Sequence, residues 1–294
     1  FTTSVMQTYI RPIFTFAGFL FPRMREAISA LGTLTQAADA AVENRVLAEK
    51  RGNEQKPDIL SEAFKVYHEQ GENPHYNLVD VKMEAFGAFF GGSDTTAIAL
   101  SATLHNIIKN SHIYTTLVEE INNATVNDEL NIPRLTYHEA VKLPYLNDCI
   151  KEGMRLHPSV GLPLPRQVPR EGRQVGGYWI LGGVRIGMNP AVTQVDPSIF
   201  GKDASTFNPD RWLGPGADEL NQYILQFGAG SRTCMGKHIA LCELYKVIPE
   251  LLRSFHRKLS GEELQNTSYW LYSLDKVNLK VKRRRSSIPA AVEC

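Results

Sequence analysis

Apolar residues recur every three or four positions along most of the first half of the chain, which is the spacing of one face of a helix. A polar stretch over 51–58 interrupts this pattern and predicts a linker. The pattern predicts helices over 27–50 and 58–68, a long helix from Val79, and a helix after Pro144 that ends at His157-Pro158.

Short apolar groups separated by prolines and glycines follow this helical part. Four prolines between positions 158 and 169 exclude helix and favour extended backbone. The apolar groups 178–180 and 184–186 lie on either side of Gly182-Gly183, and together they predict a small β-hairpin.

Helical spacing returns near Gly236 and predicts a last strong helix, with a kink at Pro249. The tail after Phe255 alternates between apolar and polar residues, notably at Val277, Leu279 and Val281, which predicts β-structure. The predicted fold class is therefore mainly α with a minor antiparallel β part.

The composition is that of a folded protein and removes several classes of function. Hydrophobic residues make up 43% and charged residues 21% of the 294 positions, a balance typical of a chain with a packed core. The net charge is only +1, so we expect no nucleic-acid partner. Four cysteines in so long a chain do not form a disulfide framework, and without a CxxC pair they do not form a zinc knuckle.

The segment FGAGSRTCMG, residues 227–236, carries the clearest chemical signal in the chain. Its glycines allow positive φ angles and the close approach of a flat ligand. Cys234 lies at the entrance of the last predicted helix, where the helix dipole and free N–H groups favour thiolate over thiol, and Arg232 places a cation nearby. This arrangement suits an iron-thiolate ligand. An inert buried cysteine and a redox-sensing thiol are the alternatives.

This segment matches every fixed position of the haem-ligand signature FxxGxRxCxG of the cytochrome P450 family. The chain resembles that family in further places, and they occur in the expected order. These are GGSDTT at 91–96, which resembles the oxygen-activating motif of the long central helix, EGMR at 152–155, which resembles the ExxR pair, and FNPDRW at 207–212.

The resemblance implies a cytochrome P450 fold and a haem b cofactor whose iron is bound by the Cys234 thiolate. The expected haem-binding residues lie in the same loop and just after the ExxR helix, where Arg166 and Arg232 would contact the propionates. They are Arg166, Phe227, Gly230, Arg232 and Gly236. For Arg166, the alternative is a solvated loop arginine.

Two further roles follow from the resemblance. Asp94 and Thr95 are expected to relay protons to bound oxygen, although the segment by itself could also be a loop with a helix cap. Glu152, Arg155 and Arg211 are expected to form a buried ion triad that holds the cysteine loop, although an i, i+3 pair by itself could be a surface ion pair.

The resemblance also implies an apolar small-molecule substrate, O₂, and a flavoprotein reductase that supplies electrons from NADPH. The similarity is greatest to fungal members that oxidise secondary metabolites. Each residue of the expected substrate pocket could equally belong to the core. These residues are Phe86, Phe89, Phe90, Val160, Leu162 and Trp270.

We expect the chain to be a single cytochrome P450 catalytic domain over 1–294 that lacks the amino-terminal helices of the family. No tryptophan in it is followed by an arginine four residues later, as the family's propionate clamp requires. The apolar stretch near 13–22 resembles the active-site lid that contacts the membrane, and it is too short to be a transmembrane anchor. Full-length relatives are expected on the endoplasmic reticulum membrane, facing the cytosol.

Two alternative functions remain open at this point. The chain could be a truncated, non-catalytic haem-binding or inert fragment of such an enzyme. It could also keep the haem-thiolate but not activate oxygen, as in relatives that rearrange peroxides, and Asp94 and Thr95 argue against this reading.

Overall fold

The computed structural model describes residues 21–52, 57–69, 76–131, 134–260, 265–268, 270–275 and 277–284. Most of the predicted lid over 13–22 lies outside these residues. In the described ranges, no helix is both long enough and apolar enough to cross a bilayer.

Helices make up most of the described residues up to Leu156, and short strands and short helices, with one further long helix, follow. The helices are α1 (Pro22–Lys50), α2 (Ile59–Glu69), α3 (Leu78–Lys109), α4 (Ser111–Val126), α5 (Tyr137–Ala140), α6 (Pro144–Leu156), α7 (Pro190–Thr193), α8 (Pro197–Phe200), α9 (Ala217–Asn221) and α10 (Lys237–Ser254). The strands are β1 (Leu164–Gln167), β2 (Arg173–Val175), β3 (Tyr178–Ile180), β4 (Arg185–Met188), β5 (Phe255–Leu259), β6 (Gln265–Ser268), β7 (Tyr272–Asp275) and β8 (Leu279–Arg283).

The predicted fold class is confirmed, since long helices dominate and the strands pair only antiparallel. The long helix predicted from Val79 is continuous through Gly91-Gly92, so the alternative of a loop with a helix cap is wrong. The last predicted helix is present as α10 and runs through Pro249. In the tail, Leu279 and Val281 lie in β8, which pairs with β5, whereas Val277 lies in no strand.

The hairpin predicted between 178–180 and 184–186 is wrong. Strand β3 pairs with β2, and β4 pairs with β1. A two-residue hairpin turn of type I′ needs positive φ at both central residues. Gly176 and Gly177 have φ angles of 57° and 84°, whereas in the Gly182-Gly183 pair only Gly183 has a positive φ, of 84°. The turn therefore forms at the first glycine pair, and the second leads the chain back to β1.

The chain forms two compact units, Phe1–Ser93 and Asp94–Cys294, and α3 passes from the first into the second. The prediction of one domain stays a prediction. In the first unit, side chains of α1, α2 and α3 form a small apolar core. Its buried members are Ala38, Val42, Phe64, Val81 and Ala85.

The second unit contains the larger core, which is made mainly by one face each of α3, α4, α6 and α10. Its fully buried side chains include Ile107, Leu117, Leu146, Ile150, Leu244, Ile248 and Leu252. Because α6 packs against this core, three of the polar residues that it carries are buried with it, namely Asp148, Glu152 and Arg155.

Gly153 lets α6 approach α3 closely. A Cβ built on Gly153 would lie 2.2 Å from Oγ1 and 2.8 Å from Cβ of Thr103, and real Cβ atoms essentially never come that close to other atoms. At this contact Thr103 Oγ1 is buried without a hydrogen-bond partner. The helix crossing therefore has no room for a side chain at position 153, between Glu152 and Arg155.

We predict that Gly153→Ala lowers the free energy of unfolding by about 1–3 kcal/mol, because the added methyl group overpacks the crossing. Urea unfolding followed by circular dichroism measures this change. Thr103→Ala in the same background should restore part of the loss. The matched control is Gly32→Ala in α1, where a Cβ would meet no atom within 4 Å and where alanine gains helix propensity. Stabilisation by both alanines would contradict the close crossing.

Candidate functional site

The segment 227–236 forms a tight loop that enters α10. Gly228 and Gly230 have φ angles of 69° and 68°, in the left-handed region that favours glycine. The backbone N–H of Cys234 donates to the carbonyl of Phe227 at 2.8 Å and closes the loop. Gly236 is the N-cap of α10, so Cys234 lies two residues before the N-cap and three before Lys237, where the helix begins.

Cys234 is exposed, which sets it apart from the other described cysteines. Cys149 is buried in α6, and burial raises the pKa of its thiol far above the usual range. Cys242 is half-buried within α10. Of the described thiols, the one in the loop is therefore the most accessible to a ligand, so an inert buried cysteine is not what the structure contains at this position.

Arg166 reaches the loop from β1. Its guanidinium donates to the carbonyl of Ala229 at 3.3 Å and to that of Pro165 at 2.9 Å, and the side chain is otherwise exposed. Arg232 is exposed in the 3-10 turn Gly230–Arg232 of the same loop. Two exposed guanidinium groups therefore lie on or against the loop that carries the exposed thiol.

Glu152 is fully buried in α6, and its carboxylate accepts hydrogen bonds on both oxygens. Arg155 donates to them through Nε and Nη2, both at 2.8 Å. Arg211 donates through Nε at 3.3 Å. The backbone N–H of Asn208 and the indole N–H of Trp212 each complete the set at 3.1 Å. The structure thus brings the three predicted triad residues together around one buried carboxylate.

The two arginines extend this network into the segment between α7 and the 3-10 turn Pro209–Trp212. Arg155 donates to the backbone carbonyls of Gln194, Ala204 and Thr206, the last two at 2.7 and 3.2 Å. Arg211 pairs with the carboxylate of Asp203 at 2.9 Å. Hydrogen bonds from Asn208 and Arg211 lower the pKa of Asp203. The buried Glu152 carboxylate therefore faces two buried guanidinium groups, and the half-exposed carboxylate of Asp203 balances the second of them.

Asp94 and Thr95 lie side by side on α3, where Asp94 is exposed and Thr95 is half-buried. The carbonyl of Thr95 accepts a hydrogen bond from the hydroxyl of Ser159 at 2.7 Å. This bond ties the helix at Thr95 to the segment that follows α6.

The comparisons with known proteins agree with this geometry. The family model described as cytochrome P450 matches residues 1–283. The chain belongs to the cytochrome P450 family. Members of this family use a haem iron with a cysteine thiolate ligand.

Three relatives show how far the likeness extends. Cytochrome P450 monooxygenase ACRTS1 of Alternaria alternata is 36% identical over 87% of this chain and 68% of its own length. Cytochrome P450 monooxygenase gsfF of Penicillium aethiopicum is 37% identical over 79% of this chain and 46% of its own. Pisatin demethylase of Fusarium vanettenii is 35% identical over 69% of this chain and 39% of its own. The chain thus spans less than half of the latter two.

The residues of the loop fit a haem. Such a group needs an accessible axial ligand and cations for its two propionates. The exposed thiol of Cys234 would supply the ligand, and the exposed guanidinium groups of Arg166 and Arg232 would supply the cations. The donor set at this loop therefore matches the cofactor of the family.

The residues predicted to contact substrate fall into two places. In the second unit, Val160 forms a β-bridge with Leu271, next to the half-buried Trp270, and Leu162 is exposed two residues further on. In the first unit, the ring of Phe86 stacks on that of Phe90, and Phe89 is 44% exposed. Their contact with a substrate stays a prediction.

Several residues of the site were not foreseen as site residues from the sequence. Asp203 balances Arg211, Ser159 holds the carbonyl of Thr95, and Gln194 lies against both α6 and the start of the loop. Only Asn208 and Trp212 could have been found, because they belong to the motif FNPDRW. Polar residues in irregular segments otherwise have no periodicity that reveals burial.

His157 is the C-cap of α6 and is buried against Tyr272 of β7. Its ring stacks on Tyr272 with the centroids 4.3 Å apart, and Nε2 lies 2.6 Å from the Tyr272 carbonyl, so Nε2 carries the proton and donates. Burial lowers the pKa of His157 below its usual 6.5, against the smaller effect of this hydrogen bond.

We predict that stability falls as the pH drops through about 6.5, because the unfolded histidine then binds protons that the folded one resists. His157→Gln keeps a donor for the carbonyl but has no titrating ring, so it should flatten the pH dependence of the unfolding midpoint. The exposed His112 serves as the control, since His112→Gln should leave the pH dependence of the unfolding midpoint unchanged. Some slope should persist, because burial also lowers the pKa of His105. An unchanged slope in His157→Gln would count against this account.

Proposed function

We propose that this chain carries the haem-thiolate site of a monooxygenase that inserts one oxygen atom of O₂ into an apolar small molecule. The observation that carries the proposal is the exposed Cys234 on a glycine-shaped loop at the start of α10, in a chain of the cytochrome P450 family. When bound, the haem would supply the activation of O₂.

The residues of the loop have distinct roles in this proposal. Cys234 binds the iron as a thiolate, and Arg166 and Arg232 pair with the propionates. Phe227, Gly230 and Gly236 shape the loop around the thiolate. The backbone supports this assignment at Gly230, which has a positive φ.

Asp94 and Thr95 move the protons that the cleavage of dioxygen consumes. Asp94 is exposed and can exchange protons with solvent, and Thr95 carries the adjacent hydroxyl. At Gly91 and Gly92 a Cβ would meet no atom within 4 Å, so the helix surface before this pair is open to water.

The substrate is an apolar small molecule, and we propose that it is a fungal secondary metabolite. Apolar residues at the predicted pocket positions favour a substrate held by burial rather than by charge. The relatives named above come from fungi, and one of them is named pisatin demethylase.

The partners follow from the same proposal. A flavoprotein reductase supplies electrons from NADPH, and O₂ is the co-substrate. The apolar segment near 13–22 would contact the membrane of the endoplasmic reticulum, with the catalytic part in the cytosol.

We predict that the chain, loaded with haem and reduced under carbon monoxide, gives a strongly red-shifted Soret band, because the thiolate donates electron density to the iron. Cys234→Ser should abolish the shifted band, and Cys242→Ser, the control in α10, should keep it. A red-shifted band in Cys234→Ser would refute the ligand assignment. No haem uptake by the wild type would favour the alternative of an inert fragment.

We predict that Thr95→Ala lowers product formation with NADPH and reductase by about 10²-fold, the usual contribution of a positioned proton donor. O₂ consumption should continue and yield hydrogen peroxide in place of product. The neighbouring Thr96→Ala is the control and should stay near the wild-type rate. Undiminished turnover in Thr95→Ala would remove the proton relay from the proposal.

A further inference from the structure

Gln194 is the C-cap of α7, and its side chain is completely buried. A buried amide loses water from two N–H groups and from its oxygen, so each needs a partner in the protein. All of them have one. Nε2 donates to the carbonyls of Met154 and Arg155 at 3.2 and 2.8 Å, and Oε1 accepts from the N–H of Leu225 at 2.6 Å. The reversed orientation would set Oε1 against two carbonyls, so these partners define the amide.

The donor end of this amide caps α6. Met154 and Arg155 lie in the last turn of that helix, where carbonyls have no partner within the helix. In addition, the guanidinium of Arg155 donates to the backbone carbonyl of Gln194. Both the main chain and the side chain of Gln194 are therefore bound to the helix that carries Glu152.

The acceptor end holds the beginning of the cysteine loop. The N–H of Leu225 is bound by Gln194, and the carbonyl of Leu225 accepts from the N–H of Gly228 at 2.9 Å. Phe227 then accepts from the N–H of Cys234. One side chain thus connects the end of α6 to the peptide from which the loop to Cys234 starts.

We propose that Gln194 is a positioning residue for the Cys234 thiolate: its amide fixes the start of the loop 227–236 against the capped end of α6. The ligand role of Cys234 in this inference rests on the proposed function. Methionine at this position would replace neither set of hydrogen bonds, and glutamate would keep the acceptor but lose the N–H donors.

The first test measures the red-shifted fraction of the reduced carbon monoxide complex per haem bound, in the full chain. Gln194→Met should lower this fraction at least twofold, and Gln194→Glu should lie between Gln194→Met and the wild type. The matched surface control is Gln222→Met, since Gln222 is the exposed C-cap of α9. It should keep the wild-type fraction.

A second control separates positioning from stability. Leu117 is fully buried in α4 and takes no part in the hydrogen bonds of Gln194, so Leu117→Ala should lower the thermal midpoint and leave those bonds in place. It should therefore keep the wild-type red-shifted fraction even where its midpoint falls as far as that of Gln194→Met. An equal loss of the red-shifted band in Leu117→Ala would overturn the inference.

Hydrogen exchange tests the same connection in the full chain without added haem. Gln194→Met should speed exchange at the Leu225 amide at least tenfold, and Gln222→Met should not. If the wild type shows no red-shifted band, the proposed function fails. Hydrogen exchange at the Leu225 amide then remains as the test of the positioning role. If the Leu225 amide of Gln194→Met exchanges at the wild-type rate, the positioning role of Gln194 is wrong, whether or not the wild type shows the red-shifted band.

Discussion

The carboxylate of Glu152 is fully buried among helices, and the hydrogen bonds it accepts come from two separate parts of the chain, α6 itself and residues 208–212. A buried charge without partners costs several kcal/mol, so it dictates where its donors must be. Arg155 comes from the same helix, and Arg211, Asn208 and Trp212 come from the segment just before the cysteine loop. The position of residues 208–212 against α6 follows from satisfying this one group.

The helix that carries Glu152 is held at both ends by side chains from elsewhere. At its start, the carboxylate of Glu120 accepts from the N–H groups of Tyr145 and Leu146 at 2.7 and 2.9 Å, and burial raises the pKa of that carboxyl. At its end, Gln194 binds the last carbonyls. Gly153 lets the helix cross α3 at close range. The helix is therefore a rigid base for the irregular segment that leads to Cys234.

The long helices and the cysteine loop could be predicted from the sequence because both depend on local patterns. Apolar periodicity marks α3 and α10, and the fixed positions of FGAGSRTCMG mark the loop. The strand pairing could not be predicted in the same way, since two glycine pairs flank β3 and only their φ angles distinguish them. No local pattern in the sequence marks Gln194, because its role depends on hydrogen-bond partners 39 and 31 residues away.

The central claim is that the buried carboxylate of Glu152 organises the segment that delivers Cys234. The most direct measurement is urea unfolding of Glu152→Gln, with the exposed Glu119→Gln as the control. We predict a loss of about 3–5 kcal/mol in the free energy of unfolding for Glu152→Gln, because two buried arginines lose their shared anion. The control should change by no more than about 0.5 kcal/mol. If the free energy of unfolding of Glu152→Gln also changes by no more than that of the control, the carboxylate does not hold this fold together.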